Sequence, residues 1–305
     1  MQSPRNRPAD YGRGEYTLNA PSVDPQSLVA ELLATFRAPG YRPPRLPSVG
    51  IKLLELANDP DVDMRKIAQL LEQDALLAGE VVKLGQAAAF GRAAPGLTIH
   101  GAVTRLGLRR VSELFLIASM NMRVFRAKGY DEVMGKLQKH SLVVAYLSKH
   151  IAQQAGLRAD HAFLCGLLHE VGIAGALIAL SEKAQQQRKR PPDPADFADA
   201  LMEVSGQASG VLARIWGLAP DLTLVLQHHQ HPLVDGKPLL VGAVVHAADG
   251  VAYNSGFGVF GGEARCIDCA VRSLGLTEEQ FEAAQVGAWK ELAAYGFEPQ
   301  DCVAA

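Results

Sequence analysis

Apolar residues recur every three or four positions along most of this chain, and stripes of that period belong to helices. One runs through Ile51, Leu53, Leu54 and Leu56, another through Leu77, Val81, Val82 and Leu84, and a third through Leu114, Phe115, Ile117, Ala118 and Met122. Helices are therefore predicted over 27–36, from 49 to the stop at Asp59-Pro60, over 64–71 behind Asp63 as N-cap, and from 74 to 84. Thr98 starts a short one that Gly107 ends, and 111–125 follows. Longer ones come next: 132–154 closed by Gly156, and the strongly apolar 162–180 behind Asp160. Further helices cover 195–216, 222–229, 239–253, 265–274 and 278–295, the last opened by Thr277 with Gln280 as a capping box. No group of segments alternates with period two and no unit repeats at fixed length, so the predicted fold is all-α.

Punctuation divides the chain. Residues 1–24, rich in Pro, Gly, Arg and Asn, read as a flexible tail, and 25–127 as an N-terminal helical lobe broken by Pro43, Pro44 and Pro47 and by a loop at 91–96. Lys128, Gly129 and Tyr130 interrupt the pattern before a second helical lobe at 128–255. Residues 256–305 read as a loop and helices packed on that lobe. Residues 181–194, polar, basic and proline-ended, read as a solvated connection.

Composition narrows the class. With 305 residues, 48% hydrophobic and 20% charged, the chain has the make-up of a folded domain with a sizeable core. A net charge of −2 gives no polyanion-binding surface, so no nucleic-acid partner is expected. No apolar run comes close to the ~20 residues of a membrane span, and the first residues lack a signal-peptide core. The expectation is a cytoplasmic protein without a membrane partner. The four Cys do not make a disulfide framework in a chain this long.

Eight of the nine His lie at or after His140. Among them His140, His169-Glu170 and His228-His229 stand out, together with His246 and Asp249, which share a helix face. A His and carboxylate set gathered from several helices is how an all-α protein builds a metal site, and its donors suit iron, manganese or zinc. A metal of that kind activates water near neutral pH. The strongest anomaly is Glu170 inside the apolar stretch GLLHEVG, since a buried carboxylate is costly unless paired or ligated. The same residues have plainer readings. His140 and His169 could be core imidazoles bonded to backbone, Asp249 a buried hydrogen-bonded acid, and His228, His229 and His231 a cationic helix end before Pro232.

Taken in order, residues 46–91 and 98–120, then KHSLVVAYLSKHIA, HAFLCGLLHEVG, LQHHQHP and VVHAADGVAYNSG, resemble the HDOD domain family over about residues 46–255. That resemblance implies an all-helical fold within the HD superfamily of metal-dependent phosphohydrolases, which includes the HD-GYP phosphodiesterases of cyclic di-GMP. It also implies a role in bacterial signalling, usually without hydrolase activity. His140 and His169 match the two HD histidines and Asp249 the final acid, while His228 and His229 resemble the paired His of HD-GYP proteins. The chain departs from the superfamily in three ways. Glu170 stands where Asp is usual, residues 204–210 hold no His, and no GYP-type sequence is present. No Lys follows Glu170 to meet a phosphate.

The implied function is a non-catalytic regulator with a degenerate HD-type site, acting through a signalling protein partner or a small nucleotide-like ligand. The alternative is a divalent-metal phosphohydrolase of nucleotides or cyclic dinucleotides, with His140, His169, Asp249 and Glu170 at the metal. Cys266 and Cys269 have zinc spacing but lack a second pair. The glycine-rich stretch 256–262 fits neither a phosphate loop nor a dinucleotide fingerprint and reads as a flexible loop. Arg105, Arg109 and Arg110 could meet an acidic partner.

Overall fold

Each helix begins and ends where local chemistry dictates. In the computed structural model, which describes residues 25–38, isolated positions between 41 and 83, and residues 98–299, Thr98 Oγ1 accepts the Gly101 N–H at 3.0 Å and opens a helix that Gly107 closes. Thr277 and Gln280 form the predicted capping box. The helices are α1 (Pro25–Arg37), α2 (Ile99–Leu106), α3 (Leu108–Arg123), α4 (Asp131–Gln154), α5 (Ala159–Leu168), α6 (Val171–Gln186), α7 (Ala198–Ile215), α8 (Pro220–His228), α9 (Leu240–Ala252), α10 (Asp268–Ser273) and α11 (Glu278–Leu292). A two-residue antiparallel ladder, Leu233–Val234 with Lys237–Pro238, is the one strand pair among the described residues. Of the helices predicted at 49–59, 64–71 and 74–84 only isolated positions are described, among them 51–52, 56, 71, 78–79 and 81–83, all helical; the 1–24 tail, the 91–96 loop and Cys302 lie outside the described residues.

The fold is built around α4. At ~1.5 Å per residue its 24 residues span about 36 Å. Every side chain from His140 to Lys149 is buried, because α5, α9 and α11 pack around it. A helix enclosed on all sides needs partners for its polar groups. Lys149 finds Glu113 on α3 at 2.8 Å and Glu291 on α11 at 3.3 Å. Arg110 reaches both carboxylates, and His150 lies 3.1 Å from Glu291. This network ties α3, α4 and α11 together, and Arg109 pairs with Asp160 at 3.3 Å. Arg109 and Arg110 thus each have carboxylate partners within the protein, Arg109 while remaining exposed. α3 itself lies between two apolar clusters: Leu116, Ile117 and Met120 join the main core, and Val111, Leu114 and Phe115 a smaller one with α2.

Three expectations need correction. The helix predicted over 162–180 is two helices, α5 and α6, parted at His169-Glu170. The connection predicted from 181 is helical through Gln186, with Ser181 and Ala184 buried and Ser181 Oγ donating to the Lys128 carbonyl at 2.8 Å. Finally, 159–186 is long and apolar enough, by length and composition, to cross a membrane, although most of it is buried inside the protein as a central layer.

Candidate metal centre

Neighbouring residues in an unbroken helix point about 100° apart, so His169 and Glu170 could not both face one spot from the predicted continuous helix. The break solves this. Glu170 leaves helical conformation at φ −105°, ψ 20°. Ser209 on α7 then fills the gap in the ladder: its hydroxyl donates to the His169 carbonyl at 2.8 Å and accepts the Gly172 N–H at 2.9 Å. Gly172 makes this approach possible, because a Cβ there would lie 2.4 Å from the Ser205 carbonyl oxygen.

Three elements now converge. His140 from α4, His169 and Glu170 from the break, and Asp249 from α9 are all buried, and each offers a ligand atom within 4.8 Å of the others. His140 Nε2 is 3.2 Å from His169 Nε2, 3.2 Å from Asp249 Oδ1 and 3.5 Å from Glu170 Oε2; His169 Nε2 is 4.0 Å from Glu170 Oε1. The extra methylene of Glu170 does not carry its carboxylate out of the cluster. Two ligands held at ~2.1 Å on one tetrahedral ion stand about 3.4 Å apart, which is the spacing seen here.

Backbone partners fix the imidazoles. His140 Nδ1 donates to the Phe257 carbonyl at 3.0 Å, and His169 Nδ1 to the Gly166 carbonyl at 2.8 Å. A neutral ring that donates from Nδ1 presents a lone pair at Nε2, so with both rings neutral two lone pairs would face each other beside two carboxylates. Glu170 Oε2 and Asp249 Oδ1 are buried without a hydrogen-bond partner. The arrangement demands positive charge at its centre. Burial alone would favour neutral His140, yet Glu170 and Asp249 outweigh it and raise its pKa above the ordinary 6.5. His169 moves the other way, lowered by burial that Glu170 and Asp249 only partly offset. Burial works against ionised Asp249, but His140, His169 and Arg265 hold it below the usual carboxylate range. A divalent cation would meet the same demand, and the four side chains are placed so that they could hold one.

The other predicted residues stand behind or beside it. His229 is buried, its ring edge-on to His169 with centroids 5.2 Å apart, and its Nδ1 donates to the Leu226 carbonyl. Burial, then the neighbouring His169, lowers its pKa to about 3. His246 Nδ1 donates to the His229 carbonyl at 3.2 Å. His228 is half-buried and, like His229 and His246, is outside the group of ligand atoms found among the described residues. Cys266 and Cys269 are exposed free thiols.

Two contributors carry no sequence signal. One is Ser209. The other is Arg265, which pairs with Asp249 Oδ2 and lies over the Tyr253 ring. The glycine-rich stretch 256–262 begins in the short π-helical turn Tyr253–Phe257, then runs on without regular structure and packs over the centre, with Val259 buried. It leaves a cavity of about 70 Å³ against His140, Glu170, Met202, Tyr253, Phe260 and Arg265. Val259, Phe260 and Gly261 also wall a second, open cavity of about 870 Å³.

The sequence pattern of the HDOD domain family matches residues 44–232. An uncharacterised protein of Treponema pallidum is 31% identical over 212 residues, which cover 65% of this chain and 40% of that protein, so the chain spans less than half of this relative's length. An HDOD domain protein of unknown function from Geobacter sulfurreducens superposes with a TM-score of 0.62 at 22% identity, covering 89% of this chain and 95% of that one. A Shewanella amazonensis protein, provisionally assigned to the metal-dependent phosphohydrolases, does so at 0.58 and 19%, covering 87% and 99%. The two likenesses show a shared fold, and because the family pattern spans well over half of its residues, this chain belongs to the HDOD domain family.

Proposed function

We propose that this protein is a bacterial signalling regulator that keeps an HD-type metal centre without running hydrolysis on it, and acts by binding a partner protein or a small ligand. His140, His169 and Asp249 would hold the ion, with Glu170 as fourth ligand, and the donor set suits iron, manganese or zinc. The bound ion would supply a Lewis acid and the positive charge that two buried carboxylates call for.

One observation carries the non-catalytic reading. The free space beside His140 and Glu170 is about 70 Å³. Pockets that take a nucleotide-sized ligand measure roughly 300–1,000 Å³, so this space admits a few waters at most. The neighbouring open cavity, about 870 Å³, has the size for a small nucleotide-like ligand kept away from the metal, with Tyr130 and Arg190 in its wall beside Asp193 and the Lys136–Glu132 ion pair. The rival hydrolase reading gains in Arg265 a cation the sequence had not offered, but it requires the 258–265 stretch to swing out before substrate reaches His140.

The test loads the purified protein with Mn²⁺ or Fe²⁺ and offers it nucleotides and cyclic dinucleotides. About one ion per chain, lost in His169→Ala, is expected, with no turnover above that of the free ion. Rapid phosphodiester cleavage abolished by the same substitution would overturn the non-catalytic reading.

A further inference from the structure

Asp249 is a ligand that needs holding. A carboxylate turns freely about its last bond, and its rotamers there are broad. Here Oδ1 faces the cluster, 3.2 Å from His140 Nε2, because Oδ2 is taken by Arg265. Three separate devices bring the 265–267 segment to that place. Asn254, just past the end of α9, grips the backbone of residue 265 on both sides: its Nδ2 donates to the Arg265 carbonyl at 3.0 Å and its Oδ1 accepts the Arg265 N–H at 2.8 Å. The Tyr253 ring lies under the guanidinium, 4.4 Å from centroid to Cζ. Gly250, next to Asp249, lets Ile267 settle on α9, since a Cβ at 250 would lie 2.2 Å from Ile267 Cγ2.

We infer that Arg265 is a positioning residue for the metal centre: strapped down by Asn254, Tyr253 and Gly250, it fixes Asp249 in the orientation that ligates. This rests on the reading of the cluster as a metal site, and it adds a part of that site from outside the matched family region, which stops at residue 232. An outer partner of this kind acts through its ligand. Its removal typically weakens metal binding by about 10- to 100-fold while the remaining ligands stay in place.

Mn²⁺ titration of metal-free protein by calorimetry decides the matter. Arg265→Gln should bind Mn²⁺ about 10- to 100-fold more weakly than wild type, and Arg265→Lys, which keeps a cation, should recover part of the loss. Gly250→Ala, which alters no charge, should also weaken binding, because it pushes Ile267 and the strap away. In an Asp249→Asn background, Arg265→Gln should have no further effect, which a general structural role would not produce. Melting of the metal-free variants shows that each still folds.

Equal or tighter Mn²⁺ binding by Arg265→Gln would overturn the inference and make Arg265 a competing cation. Additive losses in the Asp249→Asn background would overturn it too. If wild type takes up none of Mn²⁺, Fe²⁺ or Zn²⁺, the metal centre falls and this role with it. Turnover by the loaded wild type would instead sink only the non-catalytic reading.

Discussion

Glu291 is a single carboxylate serving two cations, Arg110 and Lys149, and the His150 imidazole at the joint of α3, α4 and α11. Burial would raise its pKa, but the His150 hydrogen bond, then Lys149 and Arg110, pull it well below the ordinary 4.5. The unfolded chain loses these partners and takes up a proton near 4.5, before the folded chain does. Stability from this group is therefore complete above about pH 4.5 and drains away as pH falls toward the folded value. Denaturant unfolding of wild type should weaken steeply below that pH. Glu291→Gln, which cannot titrate, should start about 1–3 kcal/mol less stable at neutral pH and lose less on acidification. An unchanged acid slope in the variant would assign the titration to another carboxylate.

At the scale of elements, the α5–α6 break shows what spacing can and cannot reveal. The apolar stretch around GLLHEVG was legible as a buried helix, and its His and Glu as an anomaly. The break was not legible, because it is stabilised by Ser209, forty residues away, whose hydroxyl gives nothing periodic to read. Helix starts such as Thr98 and Thr277 were legible because caps are local chemistry. His140, His169 and Asp249 stood out as ionisable groups on apolar helices, whereas Arg265 sits in an irregular polar segment and gains meaning only from the fold. The same break makes a prediction. Gly172→Ala places a methyl 2.4 Å from the Ser205 carbonyl and 2.7 Å from the Ser209 N, both rigid backbone, so α6 and α7 must part. The expected cost is about 1–3 kcal/mol in denaturant unfolding. Weaker Mn²⁺ binding should accompany it, because Glu170 rides on the same turn. A variant as stable as wild type would show that the break does not depend on this close approach.

Over the whole molecule, the centre joins α4, the α5–α6 break and α9, and the side chains behind these elements belong to one continuous core. An ion bound there takes its ligands from all three elements at once, a set the unfolded chain does not assemble, so its binding energy becomes folding energy. Mn²⁺ at a hundred times its dissociation constant should add about 2.7 kcal/mol, and melting should rise by roughly 5 °C or more. The rise should vanish in His169→Ala and shrink in Arg265→Gln at the same Mn²⁺ concentration. α3 should melt together with the rest, because Glu113 binds it to Lys149 on the same central helix that carries His140. A Mn²⁺-dependent rise confined to part of the chain, seen as two separate transitions, would mean that the ionic joint between α3 and α4 does not transmit what happens at the metal. A single shifted transition would make the entire helical body one cooperative unit, stabilised as a whole by the ion at its centre.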